Sequence, residues 1–254
     1  MLVAERYEKI VRLVNERGSI RVSELSAIFD VTEETIRRDL DKLEKEGKLR
    51  RSHGGAVSIK DNRSETPYFE RETMHVEEKR KIAEQAVQLI QPGDRIILDA
   101  SSTAWFMAAR LPDFPLTVLT NSIKVALELS AKEKIQVIST GGILSSGSLS
   151  YIGPLAERSL DQYHVNKAFL SCKGVHFDRG ISEANELQAR VKQKMIACAD
   201  SAYLLVDHSK FDVQSFAFVA GWDSIDCVIT DAGTRKEDVG RLRELSIEVV
   251  QLPS

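Results

Sequence analysis

The spacing of apolar residues along this chain follows one pattern up to about residue 60 and a different pattern after it. Before that point apolar residues recur three or four positions apart, as in Ile36, Leu40 and Leu43, which is the spacing of an amphipathic helix. From Pro92 onward, short apolar runs alternate with helical stretches. This alternation is typical of a parallel sheet covered by helices on both faces. The pattern therefore predicts a small helical domain followed by a larger α/β domain.

The N-terminal pattern predicts three helices and a short hairpin. The first helix covers residues 5–17. Ser23 is the candidate N-cap of the second helix and Thr32 of the third, and the turn between these helices is short. Gly47 ends the third helix, and the basic and glycine-rich residues 48–57 predict a two-stranded wing.

Two helices joined by a tight turn and followed by a wing form a unit that can bind DNA. The apolar face of the third helix leaves Thr35, Arg37 and Arg38 on its outer side, where hydroxyl and guanidinium groups can reach bases and phosphates. A basic wing can lie along the phosphate backbone. The predicted DNA-binding residues are Thr32, Thr35, Arg37, Arg38, Lys48, Arg50, Arg51 and His53. The alternative interpretation is an ordinary pair of amphipathic helices with solvated charges.

A polar, turn-rich stretch divides the chain. Residues 60–66, followed by Pro67, predict a linker, which we place at residues 60–75 between a DNA-binding domain at 1–59 and a larger domain at 76–254. Beyond a helix at 76–91, the predicted strands are 95–100, 116–120, 135–139, 167–171, 202–206, 227–230 and 247–250. The predicted helices between them are 105–111, 122–130, 156–162, 185–197 and 236–245.

Charge and cysteine usage agree with this division. The net charge is −3, but residues 1–60 hold 13 basic and 11 acidic residues and are therefore the more basic part. Three widely separated cysteines form neither a zinc pattern nor a disulfide framework, and the five histidines show no ligand spacing. No stretch approaches the roughly 18 apolar residues of a membrane span. We expect a cytoplasmic protein without a bound metal or cofactor.

Polar residues follow several of the predicted strands, at the edge of the sheet where ligands bind. The candidate ligand-binding residues are Asp99, Ser101, Ser102, Thr103, Asn121, Gly141, Gly142, Lys173, Glu183, Asp207 and Lys210. Carboxylates suit sugar hydroxyls, whereas lysines and helix N-termini suit phosphate, so this set fits a phosphorylated sugar. Taken singly, each residue has a plainer interpretation as a helix cap, a turn or solvated surface.

Catalysis is the main alternative to binding. The chain has no nucleophile elbow, no phosphate-loop motif and no His-Glu-x-x-His motif. Asp99, Glu183 and Asp207 could nevertheless act as acid or base, and Lys173 or Lys210 could stabilise an enediolate. A sugar-phosphate isomerase or deaminase with an accessory DNA-binding domain therefore stays open beside a regulator that does no chemistry.

Two sets of residues together carry a family resemblance. Residues 31–40 and 51–56 resemble the winged helix–turn–helix of DeoR-family transcriptional regulators. The strand-end residues around Asp99, Asn121, Gly141 and Lys173, and those at 207–210, resemble the effector domain of that family. The resemblance covers nearly the whole chain in the same order.

The resemblance implies a repressor of a carbohydrate-catabolic operon that a phosphorylated sugar releases from DNA. It implies a dimer or tetramer and a Rossmann-like effector domain related to ribose-5-phosphate isomerase and glucosamine-6-phosphate deaminase. Many members have a glycine where this chain has Ser101, and the run from Ser102 to Trp105 resembles a subgroup that handles deoxy-sugars. The implied effector is then a ketose 1-phosphate such as rhamnulose 1-phosphate. An activator built from the same parts is the remaining alternative.

Overall fold

The computed structural model describes residues 3–17, 19–52, 54–57 and 65–253. The chain divides into two compact units, residues 1–64 and residues 65–254. His53, one of the predicted DNA-binding residues, lies outside the described residues. Within the described ranges, every helix is too short or too polar to cross a membrane.

The first unit is a helical domain with a three-stranded antiparallel sheet. Its elements are α1 (Val3–Arg17), β1 (Ser19–Arg21), α2 (Val22–Phe29), α3 (Glu33–Lys45), β2 (Arg50–Ser52) and β3 (Gly55–Val57). Strand β3 lies between β1 and β2, so the wing pairs with the strand that precedes α2. Ile10, Leu25, Ile36, Leu40 and Leu43 are fully buried and join the three helices in one core.

Hydrogen bonds and backbone conformation define where α2 and α3 begin and where α3 ends. Thr32 caps α3, because its hydroxyl accepts a hydrogen bond from the Thr35 N–H at 3.2 Å, as predicted. Gly47 ends α3 with a φ of +67°, which suits glycine. The predicted Ser23 cap is wrong, because α2 begins at Val22 directly after β1. The Val22 N–H is satisfied by the wing instead, donating to the Gly54 carbonyl at 2.9 Å.

The second unit is an α/β domain. Its helices are α4 (Tyr68–Thr73), α5 (Val76–Val87), α6 (Ser102–Arg110), α7 (Ile123–Leu129), α8 (Pro154–Leu160), α9 (Glu186–Ala197) and α10 (Lys236–Glu244). The strands of its main sheet are β4 (Arg95–Leu98), β5 (Leu116–Thr120), β6 (Ile135–Ser139), β9 (Val165–Leu170), β12 (Ala199–Leu205), β14 (Cys227–Thr230) and β15 (Glu248–Gln251). The remaining strands are β7 (Ile143–Ser145), β8 (Ser150–Ile152), β10 (Gly174–His176), β11 (Gly180–Glu183) and β13 (Ala217–Ala220).

The main sheet is parallel, and its seven strands lie in the order β15-β14-β12-β9-β4-β5-β6. Alternate residues face two cores, as in β4, where Ile96 and Leu98 pack on one side and Ile97 on the other. The parallel sheet with helices on both faces confirms the predicted fold class. The strand order reverses between β4 and β9, and a crevice at such a point is where ligands bind in open α/β sheets.

The sequence pattern missed the smaller sheets and misplaced one boundary. The hairpin β7–β8 and the antiparallel sheet β10-β11-β13 were not predicted, because three- and four-residue strands carry too little alternation to stand out. Residues 65–75, which we assigned to the linker, belong to the second unit. They include α4, whose Tyr68 N–H donates to the Gly147 carbonyl at 2.7 Å.

Candidate functional site

Asp99 joins the two loops at the point where the strand order reverses. Its side chain is completely buried just after β4. One carboxylate oxygen accepts a hydrogen bond from the Ser101 N–H at 3.0 Å, within the same loop. The other accepts from the Ser171 N–H at 2.9 Å, in the loop after β9. Asp99 therefore sets the shape of both loops.

A buried lysine neutralises this carboxylate. Lys192 of α9 places its Nζ 2.9 Å from Asp99 Oδ2 and 2.6 Å from Glu183 Oε1, and also donates to the Ser171 carbonyl. Burial alone would lower the pKa of Lys192, but Asp99 and Glu183 raise it above its ordinary value. The lysine is therefore charged, and both carboxylates are held in an ion-pair network.

A cavity of about 70 Å³, several times the space that one water needs, lies over these loops. It brings together six of the predicted residues: Ser101, Ser102, Thr103, Lys173, Glu183 and Lys210. The Asp99–Thr103 turn and Lys210 thus meet at one cavity, although more than 100 residues separate them in the chain. Ser101 caps α6, with its hydroxyl accepting from the Ala104 N–H at 3.0 Å, so the N-terminus of α6 faces the cavity. That helix end favours an anion.

The other five predicted residues do not contribute to the lining that the structure describes. They are Asp99, Asn121, Gly141, Gly142 and Asp207. Asn121 is buried and donates to the Tyr151 carbonyl at 3.0 Å. Gly142 has a φ of +120°, and a Cβ there would lie 2.8 Å from the Ile152 carbonyl oxygen, so a turn requires this glycine. These residues organise the edge of the sheet near the cavity.

Asp207 acts on the cavity indirectly. It follows β12, is buried, and caps the short turn 208–210 by accepting from the Ser209 N–H at 3.0 Å. Burial would raise the pKa of Asp207, but the Lys210 ammonium, helped by His75, lowers it below its ordinary value. A charged Asp207 therefore helps to hold the turn that carries Lys210.

Three cations of the cavity were not predicted from the sequence: Lys192, described above, and two that come before the sheet. Arg71 lies on α4 and Lys79 on α5, and both precede the first strand of the main sheet. A search restricted to residues that follow strands could not find them. Lys79 is buried, and its Nζ donates to the carbonyls of Arg71 and Met74 at 2.6 Å each.

The cavity is rich in positive charge. Burial, and then the neighbouring Lys210, lowers the pKa of Lys79 to about 8 and also lowers the pKa of Lys173. Crowded ammonium groups that repel one another are stabilised by an anion placed between them. Lys192 does not add to this excess, because Asp99 and Glu183 surround it. The arrangement is suited to binding a negatively charged group.

The cavity is less well arranged for acid–base chemistry. Glu183 and Asp99 are engaged by Lys192, and burial raises the pKa of the Cys172 thiol to about 12, so this cysteine is protonated near neutral pH. Within the described ranges, His, Cys, Asp and Glu side chains form no group that could hold a metal ion.

The predicted DNA-binding residues form an exposed surface on the first unit. Arg37 and Arg38 project from α3 with 48% and 79% of their side chains exposed, and both pair with Glu33 or Glu34 one turn earlier. Thr35 is half-buried, with its hydroxyl 2.9 Å from the Thr32 hydroxyl. These intrahelical pairs are exposed and weak, so a phosphate can replace them.

The wing residues extend this surface. Arg50 is exposed on β2, and Lys48 pairs with Glu46 at 2.8 Å. Arg51 is more tightly held, with its Nε 3.2 Å from Asp41 and its N–H bonded to Glu44. The position of α3 itself is maintained by a buried ion pair in which the Arg6 guanidinium contacts both oxygens of Asp39, at 2.6 and 3.2 Å.

Two protein families match this chain. The DeoR-like helix–turn–helix domain matches residues 6–62, and the DeoR C-terminal sensor domain matches residues 74–232. The two matches fall on the two structural units, with the predicted DNA-binding residues in the first and the cavity in the second.

Curated relatives are similar over nearly the whole chain. The uncharacterized HTH-type transcriptional regulator YulB of Bacillus subtilis (strain 168) is 57% identical over 253 residues, which cover 100% of this chain and 98% of that protein. The L-fucose operon activator of Haemophilus influenzae is 40% identical, with coverage of 89% and 91%. The putative aga operon transcriptional repressor of Escherichia coli O157:H7 is 37% identical, with coverage of 97% and 93%.

Solved structures are similar to parts of the chain. A probable sor operon regulator from Shigella flexneri has a TM-score of 0.43 at 11% identity, and the match covers 66% of this chain and 88% of that one. Ribose 5-phosphate isomerase A from Methanocaldococcus jannaschii has a TM-score of 0.39 at 20% identity, with coverage of 52% and 53%.

Proposed function

Because the chain belongs to the DeoR family of DNA-binding transcriptional regulators rather than to a family of enzymes, we propose that it represses a carbohydrate-catabolic operon and leaves its operator when a phosphorylated sugar fills the cavity. The observation that carries this proposal is the excess of positive charge in the cavity. Arg71, Lys79, Lys173 and Lys210 line it together with the N-terminus of α6. Glu65 and Asp207 offset only part of this charge, so a neutral sugar would leave an excess of cations, whereas a phosphate pairs with them.

The sugar part of the effector binds beside the phosphate. Glu183 offers a carboxylate oxygen and Ser102 and Thr103 offer hydroxyls along the same cavity, which suits the hydroxyl groups of a sugar. We favour a deoxy-ketose 1-phosphate such as rhamnulose 1-phosphate, because the run from Ser102 to Trp105 resembles regulators of deoxy-sugar metabolism. One relative is named for an operon of L-fucose, which is also a deoxy-sugar.

The first unit binds operator DNA through α3 and the wing. Arg37, Arg38, Lys48, Arg50 and Arg51 neutralise phosphates, and Thr35 with one of the arginines of α3 reads base edges in the major groove. A dimer or tetramer presents two such helices to half-sites about 34 Å apart, or a multiple of that distance. An effector that couples to DNA binding by about 1–3 kcal/mol changes operator affinity roughly 5–150-fold. We place this protein in the cytoplasm with its DNA.

A two-step binding experiment tests the proposal. Thermal shift across a panel of pentose, hexose and deoxy-ketose phosphates identifies the effector, because a ligand at 100 times its dissociation constant stabilises the fold by about 2.7 kcal/mol. Fluorescence anisotropy with the protein's own promoter fragment then measures operator affinity with and without that sugar phosphate. The matching unphosphorylated sugars are the control. Failure of every sugar phosphate to change operator affinity would contradict the sensing function.

Activation is the alternative sign of regulation. One relative is named as an activator and another as a repressor, so both signs occur among similar proteins. Deleting the gene separates them: derepression of the adjacent catabolic genes is expected for a repressor, and loss of their expression for an activator.

A further inference from the structure

The first segment of the second unit forms part of the cavity wall. We call residues 65–74 the strap; in chain order it is the first described segment after the DNA-binding unit. Four strap residues line the cavity: Glu65, Thr66, Arg71 and Met74. A molecule that binds in the cavity therefore contacts the strap directly.

The cations of the cavity hold the strap in place. Lys173 Nζ donates to the Thr66 hydroxyl at 3.0 Å, and Arg71 Nε donates to the Thr66 carbonyl at 3.0 Å. Lys79 Nζ donates to two strap carbonyls, those of Arg71 and Met74. All of these acceptors are neutral oxygens, and a phosphate oxygen is a stronger acceptor for an ammonium or guanidinium group.

The strap also places a carboxylate in the cavity. Glu65 Oε1 lies 3.8 Å from Arg71 Nη2, which is too far for a hydrogen bond, and within the described ranges this nitrogen is buried without a hydrogen-bond partner. Burial and the nearby Glu183 raise the pKa of Glu65 above its ordinary value. Arg71 is therefore incompletely paired, and an arginine fork prefers a bidentate anion.

We propose that the strap is the part of the protein that reports effector binding. The anionic group of the effector binds Arg71 in place of Glu65 and Lys173 in place of Thr66. Loss of these contacts loosens the strap, which follows the DNA-binding unit in the chain. This inference rests on the proposed function, since it assigns Arg71 to the effector site and makes Thr66 and Glu65 the groups that an effector displaces. When the effector is bound, these cations donate to its charged oxygens, and their contacts with the strap are lost.

Inorganic phosphate and rhamnulose 1-phosphate are the probes for a test on the full chain. Hydrogen exchange of the amides of residues 65–74 is measured with and without each probe, and operator affinity is measured under the same conditions. The variant Thr66→Val removes the acceptor of Lys173 while keeping the shape of the side chain. Thr73→Val is the matched control, because Thr73 is an exposed residue of the strap whose hydroxyl donates to the Glu70 carbonyl, and it is not part of the described cavity lining.

Phosphate is expected to speed amide exchange in the strap of the wild-type chain. Thr66→Val is expected to bind phosphate about fivefold more tightly, which is the effect of one typical hydrogen bond no longer being broken, and to reduce the effector-dependent change in operator affinity by a similar factor. Thr73→Val is expected to match the wild type in both measurements. Glu65→Gln, which removes the competing negative charge, is also expected to tighten binding of inorganic phosphate.

The results distinguish failure of this inference from failure of the proposed function. Slowed or unchanged exchange in the strap, or equal effector responses in wild type and Thr66→Val, overturns the strap inference while sugar-phosphate sensing stands. Weaker phosphate binding by Glu65→Gln overturns the displacement of Glu65. A wild-type chain that binds no probe and shows no change in operator affinity with any sugar phosphate overturns both.

Discussion

Lys192 Nζ lies 2.9 Å from Asp99 Oδ2 at the point where the strand order of the main sheet reverses. This ion pair is buried, with side-chain exposures of 8% and 1%. Asp99, which the sequence pattern places among the ligand-binding residues, instead holds the two loops beside the cavity. A buried charge pair of this kind is costly to break from one side, because the remaining charge stays in a medium of low polarity.

Replacing Lys192 with methionine is expected to destabilise the fold by about 3–5 kcal/mol, because Asp99 and Glu183 lose their buried counterion. Urea unfolding of the full chain measures the loss. Lys194→Met is the control on the same helix, since Lys194 makes an exposed pair with Asp161 and its loss should leave the stability nearly unchanged. Equal stabilities of the two variants would show that Lys192 is not needed to compensate these carboxylates.

Anion binding in the cavity is expected to weaken as the pH rises through 8. The pKa of Lys79 is lowered to about 8, so its ammonium is lost on the alkaline side of that value, whereas the dianion fraction of inorganic phosphate increases over the same range. If binding requires charged Lys79, the dissociation constant expressed for the phosphate dianion rises about tenfold between pH 7 and pH 9. Titration calorimetry with inorganic phosphate gives the profile. Lys79→Met should bind weakly with a shallower profile, and a flat wild-type profile would exclude titration of Lys79.

The exposed arginine Arg38 is expected to contact a DNA phosphate. Arg38→Ala should weaken binding of all DNA sequences to a similar extent and reduce the slope of log affinity against log salt by about 1. Fluorescence anisotropy between 50 and 200 mM salt measures this slope. Arg190→Ala, which removes an exposed arginine of the second unit, is the control. A loss restricted to one operator sequence would instead assign Arg38 to base recognition.

Gly142 is expected to matter for stability and not for effector affinity. Gly142→Ala should cost about 1–3 kcal/mol, because its φ is +120° and the new methyl group meets the Ile152 carbonyl. Gly141→Ala, at φ +60° with open space around it, should cost only about 1 kcal/mol. Thermal unfolding gives the stabilities and calorimetry gives the affinities. If Gly142→Ala folds but binds the effector more weakly, Gly142 belongs to the binding site and this prediction is wrong.

Local patterns in the sequence were sufficient for the fold class and for the strands of the main sheet, but not for the smaller sheets. The Thr32 cap, the stop at Gly47 and the parallel strands β5, β6 and β14 depend on residues that are close together in the chain, so spacing alone predicted them. The same alternation of strands and helices predicted that the candidate residues lie at the carboxyl edge of the sheet. Six of the eleven predicted ligand-binding residues share the cavity, because parallel strands end at a common edge.

Only the tertiary structure decided which of these residues face the cavity and which hold it together. Lys192 reaches Asp99 from a helix more than 90 residues away, and Arg71 and Lys79 enter the site from helices that precede the sheet. Such contacts depend on how helices pack across the sheet, and no local spacing encodes them. The sequence by itself determined a DNA-binding unit joined to a parallel α/β unit with an anion-suited edge. Long-range packing of charged side chains then decided where the cationic cavity lies and which segment at the start of the second unit forms part of its wall.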